Sequence, residues 1–489
     1  MASALRDSSN LYTDLFSTTE TPKFPPLPVA RHQHFGALTG KVADIRDHAL
    51  RNAEIKARRQ VQFWNLVQTG LAYMFLLSSV QTALSVGTLL LANVNDGLFQ
   101  GTSTLGYSVL GVTYCVLAVA FWLAQPVVST LGPVNSMIIS AVCFIIFLLV
   151  FIRPIFWLLF IAAVVAGFGA AILSTAGGVF MALNSDSETI GRNTGIFFGL
   201  YETSLIWGNI GFFVILRGSN SISTEQRYWI VGFLLVLGSF GTILVLLLKR
   251  KQAQVVIEES EFAHAIDRGF LDSIKASALL CLNPNVIMLL PLIIFLGLSS
   301  AFRNDIYNTA IGYTLEINSL SLVGLAGVML GLGELTGSAI CAGINTKMPH
   351  MSRGKMVVGG VIASCLGYFF IYLNMPNEAV LGPTHAVGVI NPPSKFLAVF
   401  CSFLMGIGDA AVNTQIYAIL AELFGHDIVP PVGLFQSIYA LFCAVAYFYS
   451  TALKIYAQLL ILIISAIAGA WSFSVMATKF VRSQRYEDI

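Results

Sequence analysis

Twelve apolar runs, each near the length needed to cross lipid, limit what this chain can fold into more than any other feature. A bilayer core of about 30 Å takes about 20 helical residues to cross. The runs cover 62–90, 105–124, 135–152, 155–182, 194–216, 228–248, 284–302, 318–344, 356–373, 397–420, 432–450 and 455–476. Lipid offers no hydrogen-bond partner, so each run must satisfy its own backbone, and isolated apolar runs of this length do so as helices. Of 489 residues, 56% are hydrophobic and 11% charged, a balance a water-soluble globule does not keep. The expectation is an all-α integral membrane protein with twelve transmembrane helices and the lipid bilayer as its solvent.

Basic residues flanking spans mark the inner side. With both termini cytosolic, the outer loops hold Arg153, Arg217, Arg227, Arg303, Lys395 and Lys454, and the other 21 of the 27 Lys and Arg lie inside. The chain then divides into a polar tail, 1–60, a six-helix half, 61–248, a cytosolic linker, 249–283, a second half, 284–476, and a tail, 477–489. The first tail is punctuated by Pro22, Pro25, Pro26 and Pro28 and has no signal-peptide pattern, so the first span directs insertion. The linker carries Phe262, Ile266, Phe270 and Ile274 at four-residue spacing, an amphipathic helix for the inner membrane face. The last residues, Tyr486-Glu-Asp-Ile489, resemble an endosomal sorting signal, which leaves the plasma membrane and endolysosomal membranes both open.

Catalytic and cofactor chemistry finds no footing. All seven cysteines lie in or beside apolar runs and all seven histidines lie outside the spans, so neither a disulfide framework nor a buried metal site is expected. No HExxH, GxSxG or phosphate-loop pattern occurs. No basic stripe interleaved with aromatics suggests nucleic acid, and no cofactor is implied.

An internal repeat organises the spans. Gly167-Phe-Gly169 with Ser174-Thr175 in the fourth aligns with Gly406-Ile-Gly408 and Asn413-Thr414 in the tenth, at a constant shift of 239 residues. Gly195-Ile-Phe197 with Tyr201 is echoed by Gly433-Leu-Phe435 with Tyr439 at a shift of 238. Both matches put span four on span ten and span five on span eleven, which predicts two parallel six-helix repeats.

Several stretches resemble the Unc-ninety-three-like branch of the major facilitator superfamily. They are Asn184-Ser-Asp186 with Thr189 through Phe197, then Gly331-Leu-Gly333-Glu334, then Phe403 through Asp409 with Asn413-Thr414-Gln415. Leu131-Gly132-Pro133 and Ala446 through Ser450 add to the likeness. It spans roughly residues 62–476 and implies two pseudo-symmetric halves that work by alternating access as a secondary carrier of a small solute. The branch is also associated with regulation of potassium channels and with receptor trafficking, so a non-transporting regulator with a channel or receptor partner is the alternative. Most of the superfamily places a charged gating signature between spans two and three. Here that loop, Gln125 to Asn135, carries no charge.

Three carboxylates fall within the spans, Glu202, Glu334 and Asp409, with no Lys or Arg there to pair them. A carboxylate at bilayer depth costs at least about 2.5–3.5 kcal/mol by insertion scales, so each should face the bundle interior or carry a proton. An interior of this kind prefers protons or cations. Asp409 shares a helical face with Ser402, Gly406, Asn413 and Tyr417, and the resemblance places that face on the central cavity. Glu202, Gln68, Tyr73 and Ser174 are further candidates for a substrate or proton pathway. An interhelical hydrogen bond made purely for packing competes with this reading for Asp409 and Glu202. Glu334 sits among Gly324, Gly327, Gly331, Gly333 and Gly337 and reads as a packing carboxylate. Asp186, Glu188 and Arg192 at the inner face, opposite Glu422 and Asp427, are candidates for a gating latch.

Overall fold

The computed structural model describes residues 32–92, 103–185, 189–219, 221–248, 279–347, 353–424 and 429–487. The chain divides into two compact units, Met1–Val61 and Gln62–Ile489. The described part of the first is helical. The second is built from the part of α1 (His32–Ser85, with a short continuation Gly87–Leu91) that follows Val61, and from α2 (Thr104–Leu131), α3 (Pro133–Val150), α4 (Phe156–Leu183) and α5 (Ile190–Glu202 and Ser204–Ile215). It continues with α6 (Thr224–Leu246), α7 (Pro284–Tyr313), α8 (Leu322–Lys347), α9 (Arg353–Asn374), α10 (Lys395–Phe424), α11 (Val429–Ser450) and α12 (Ile455–Glu487). Eleven of these, α2 to α12, are long and apolar enough to cross a membrane. Their outward faces expose large apolar side chains such as Trp157, Trp229 and Trp471, as lipid surroundings favour. Most of the expected amphipathic linker, and Asp186, Glu188 and Asp427, lie outside the described residues.

The first expected span falls short of that apolarity because α1 is laced to its neighbours by polar side chains. Asn65 donates to Asn184 Oδ1 at 3.2 Å, Gln68 to the Leu244 carbonyl at 2.9 Å, and Ser78 to the Ser204 carbonyl at 2.7 Å. These bonds tie α1 to α4, α6 and α5. Its polarity is spent inside the bundle, where an unpaired group would be expensive.

The largest departure from expectation is in α7. The seventh apolar run ends at residue 302, which puts Arg303 in an outer loop. Instead the helix runs on to Tyr313 through a π-helical turn at Phe302–Ile306, and Arg303 and Asp305 are both buried. A π turn changes the angular register of the residues beyond it, and such turns gather at functional sites. Here it lets two charged residues only two positions apart reach different neighbours.

Glycines set the helix contacts. A Cβ on Gly167 would lie 2.6 Å from the Thr113 carbonyl of α2, and one on Gly169 would lie 2.8 Å from Cys143 of α3. Their repeat partners behave alike, with Gly406 against the Leu330 carbonyl of α8 and Gly408 against Ser364 and Gly360 of α9. Because backbone cannot yield as a side chain tip can, Gly406→Val should destabilise by about 3 kcal/mol or more. Thermal unfolding in detergent checks this; an unchanged midpoint would contradict the close α8–α10 approach. At Gly132, φ is +76° with ψ 156°, a conformation open essentially to glycine. It turns α2 directly into α3, and Pro133 starts the next helix. The uncharged Gln125–Asn135 stretch is therefore a helix-to-helix corner.

Residues 62–248 meet residues 279–487 along two seams. In the first, α2 packs on α11: Trp122 Nε1 donates to Ser437 Oγ at 2.7 Å, and Gly111 faces Phe448. In the second, α5 packs on the glycine face of α8, where Gly324 and Gly327 lie against Asn209 and Phe213, and Gly331 against Leu205 and Ile206. Further bonds join the segments at the end that carries the α1–α2 and α7–α8 connections. There Asp305 accepts from Thr88 Oγ1 at 2.7 Å, Asn308 donates to the Ser85 carbonyl at 3.3 Å, and Tyr107 donates to the Val380 carbonyl at 3.0 Å. On the exposed loop nearby, Lys454 lies 2.8 Å from Glu378 and holds its carboxyl below the usual range.

Candidate functional site

Four ionisable side chains from four helices converge in the bundle. Arg303 (α7) is 4% exposed, and its Nη2 lies 2.8 Å from Asp409 Oδ2 (α10). Arg303 Nε lies 3.7 Å from Glu334 Oε1 (α8), a charge contact too long for a good hydrogen bond. Across the α5–α8 seam, Glu202 (α5) lies one turn beyond the contact of Leu205 and Ile206 with Gly331, on the side of Glu334, so the cluster draws on both segments. The cluster brings one guanidinium together with three carboxyl groups.

Local structure puts each group in place. The π turn carries Arg303 inward. The close approach of α8 and α10 at Gly333 and Gly406 brings Glu334 beside Asp409, and the α5–α8 seam brings Glu202 to Glu334. Around them stand Tyr201, half-buried, and Tyr417, whose ring packs edge-on to Phe435 at 5.3 Å and whose hydroxyl accepts from Gln436. Tyr439 donates to Ser300 Oγ on α7.

The polar valences are incompletely used. Arg303 Nε and Nη1, Asp409 Oδ1 and Ser402 Oγ are buried without a well-formed hydrogen bond. Asn413 stands one turn along α10 from Asp409. In a purely structural network such atoms are nearly always satisfied, since each unpaired group costs about 1–3 kcal/mol.

The structure thus gathers Asp409, Asn413, Tyr417, Glu202 and Glu334, and adds a cation that the apolar pattern assigns to a loop. The expectation that no Lys or Arg lies within the spans is corrected by Arg303. An unpaired mid-span Asp409 is itself the signal to look for a cation nearby. Gln68 and Tyr73 lie elsewhere, each donating to a backbone carbonyl of a neighbouring helix, Leu244 and Leu173 respectively. Ser174 is exposed on α4.

The expected latch takes a different form. Glu422 pairs with Arg353 at the start of α9, within its own segment, and Arg353 also donates to Gln415 at 3.3 Å. Arg192 instead bonds the adjacent Asn193 and lies over the Phe63 ring, 5.4 Å from its centroid. A latch between Arg192 and Glu422 is not formed. Neighbouring helix ends within one segment are simply nearer than the opposite segment.

Solved structures share the fold. The chain superposes on the xylose transporter XylE from E. coli with TM-score 0.55 at 14% identity, covering 87% of this chain and 98% of that one. It superposes on the nucleoside transporter NupG with TM-score 0.57 at 14% identity, covering 85% and 99%. At such identities the likeness shows the fold alone, a membrane bundle of the major facilitator type, and these neighbours are transporters by name, not enzymes. The chain belongs to the UNC-93 family, described as "Ion channel regulatory protein UNC-93", whose pattern matches residues 100–474. Among its relatives is the UNC93-like protein MFSD11 of Xenopus tropicalis, 31% identical over 441 residues, covering 87% of this chain and 98% of that protein.

Proposed function

We propose that this protein is a secondary carrier in which twelve spans form two six-helix halves working by alternating access, with proton coupling through the Arg303–Asp409–Glu334–Glu202 cluster. The observation that carries this reading is the charged cluster itself, built from both segments at their seam. A group that must change protonation between two arrangements of the halves belongs at such a junction. The α2–α11 and α5–α8 seams are exchanged by the repeat that relates span two to eight and five to eleven, which supports the two-half description. With both termini cytosolic, the bonds of Thr88, Ser85 and Tyr107 lie at the outer end.

Uptake into proteoliposomes from a metabolite pool, with and without a pH gradient, tests the proposal. Saturable uptake that tracks the gradient is the expected result. Its absence, with co-purification of a channel or receptor, would establish the second reading, a non-transporting regulator. That reading draws on the family's description and on the uncharged Gln125–Asn135 corner, where a charged gate is missing. Which membrane holds the protein is left to its sorting signals, and the Tyr486–Ile489 pattern favours an endolysosomal one.

A further inference from the structure

Two helices depart from α-helical geometry where they meet. α1 is interrupted at Val86, where φ is −122° and ψ 8°, before it continues as Gly87–Leu91. α7 takes its π-helical turn at Phe302–Ile306. The two breaks touch: Thr88 Oγ1 donates to Asp305 Oδ2 at 2.7 Å, and the Thr88 amide lies 3.5 Å from Oδ1. Close by, Asn308 Nδ2 donates to the Ser85 carbonyl at 3.3 Å. Interrupted helices at membrane depth are where backbone and side-chain oxygens become free to hold an ion.

The side chains at this crossing bring one carboxylate and three hydroxyls together, and the charge is not balanced. Asp305 is 0% exposed, and among the described residues no Lys, Arg or His forms an ion pair with it. Arg303, two positions earlier, is turned to Asp409 at 2.8 Å. Thr88 supplies hydrogen bonds but no charge, so a carboxylate at this depth needs a positive charge from elsewhere. Ser85 Oγ and Thr309 Oγ1 are buried without a hydrogen bond, on residues 3% and 0% exposed. Ser85 lies three residues before Thr88 on α1, and Thr309 four residues after Asp305 on α7. The Thr88 hydroxyl donates its proton to Asp305 and keeps its lone pairs for another partner. Buried hydroxyls are nearly always hydrogen-bonded, so two left over beside an uncompensated carboxylate point to a ligand.

We infer that Asp305, Thr88, Ser85 and Thr309 bind a single sodium ion where α1 crosses α7. A carboxylate and hydroxyl oxygens are hard ligands, suited to alkali and alkaline-earth cations and not to zinc or copper. A lone carboxylate balances one positive charge, which selects a monovalent ion over calcium or magnesium. Packing selects a small one. Gly106 of α2 closes on Thr88 so tightly that a Cβ would not fit, and a Cβ on Gly312 would lie 2.8 Å from Leu89. Sodium is about the size of calcium, which oxygens hold at about 2.3–2.6 Å, so it sits among its ligands with no further cavity. Potassium and organic ammonium ions need more room than this crossing leaves. The bound ion ties α1 to α7 across the two segments and favours the arrangement in which this end is closed. The site is separate from the Arg303–Asp409 pair and goes beyond the carrier reading, since binding requires no transport.

Purified full-length protein in detergent and mildly alkaline choline chloride is equilibrated with radioactive sodium. Saturable binding of a single ion per chain is expected. Unlabelled NaCl should displace it, and KCl should need a concentration about tenfold higher or more. Asp305→Asn keeps an acceptor for Thr88 while removing the charge, and should abolish binding. Ser85→Ala and Thr309→Ala should each weaken it by about tenfold or more, since even outer partners of metal ligands are commonly worth that much in affinity. Thermal unfolding in choline chloride checks that each variant is folded, and sodium should raise the midpoint of the wild-type protein but not that of Asp305→Asn. No saturable binding by the wild-type protein overturns the inference and leaves Asp305 neutralised by a proton. Undiminished binding by folded Asp305→Asn overturns it as well. If that variant does not fold, undiminished binding by both alanine variants does the same. Binding lost in Asp409→Asn but kept in Asp305→Asn moves the ion to the central cluster, and displacement by KCl as strong as by NaCl overturns the choice of sodium.

Discussion

Asp409→Leu should destabilise the folded protein by about 3 kcal/mol, and adding Arg303→Met should restore most of that loss. Removing one partner of a buried pair leaves the other charge uncompensated, typically at about 3–5 kcal/mol, while removing both is often neutral or better. The low end is expected here because Glu334, 3.7 Å from Arg303 Nε, can take over part of the role. The single variants and the double variant are compared by thermal unfolding in detergent, as a cycle that isolates the coupling. Additive losses would mean that Arg303 and Asp409 do not depend on one another, and the 2.8 Å contact would lose its energetic meaning.

The second large effect is expected at the end of the bundle where Asp305 meets Thr88. Asp305 is fully buried and accepts from the Thr88 hydroxyl at 2.7 Å, while Gly106 of α2 packs so closely on Thr88 that nothing larger fits. Asp305→Leu removes the acceptor and leaves the Thr88 hydroxyl orphaned, a change of about 1–3 kcal/mol against the closed arrangement. Such a change shifts a two-state balance by about tenfold or more. A cysteine replacing Ser85, buried at this end, reports the shift through labelling by a membrane-impermeant thiol reagent. The expected result is labelling about tenfold faster in the Asp305→Leu background. An unchanged rate would mean that the Thr88 contact does not seal this end.

Both predictions rest on α7, where the sequence is least legible. Apolar counting ends the seventh span at residue 302 because Arg303-Asn-Asp305 looks like the start of a polar loop. Local composition carries no sign that the helix continues, since the charges are tolerated only through Asp409 and Thr88, which lie far away along the chain. The Tyr307-Asn-Thr-Ala-Ile-Gly-Tyr313 segment, whose two tyrosines and isoleucine are buried, is the available hint. The helix bundle and the glycine contacts of α4 and α10 are legible, because lipid forces long apolar helices and the repeat preserves the small residues that let backbones touch. Asp409 is legible as well, since a mid-span carboxylate stands out. Its company is not: Glu202 and Glu334 are brought together by the α5–α8 seam, and no local spacing encodes a contact between helices. Likewise the polar face of α1 can be read as a cavity lining, yet Gln68 and Tyr73 spend their hydrogen bonds on α6 and α4.

In the proposed carrier the buried cluster links proton movement to solute movement. The most direct test is proton flux into proteoliposomes containing a trapped pH dye, triggered by solute on the other side, for the wild-type protein and for Asp409→Asn. Asparagine keeps the shape and an acceptor for Arg303 while removing the charge, so the variant should stay folded in the same unfolding assay. Solute-triggered proton flux in the wild-type protein and none in Asp409→Asn is the predicted result. Undiminished flux in a folded Asp409→Asn protein would contradict coupling through this cluster.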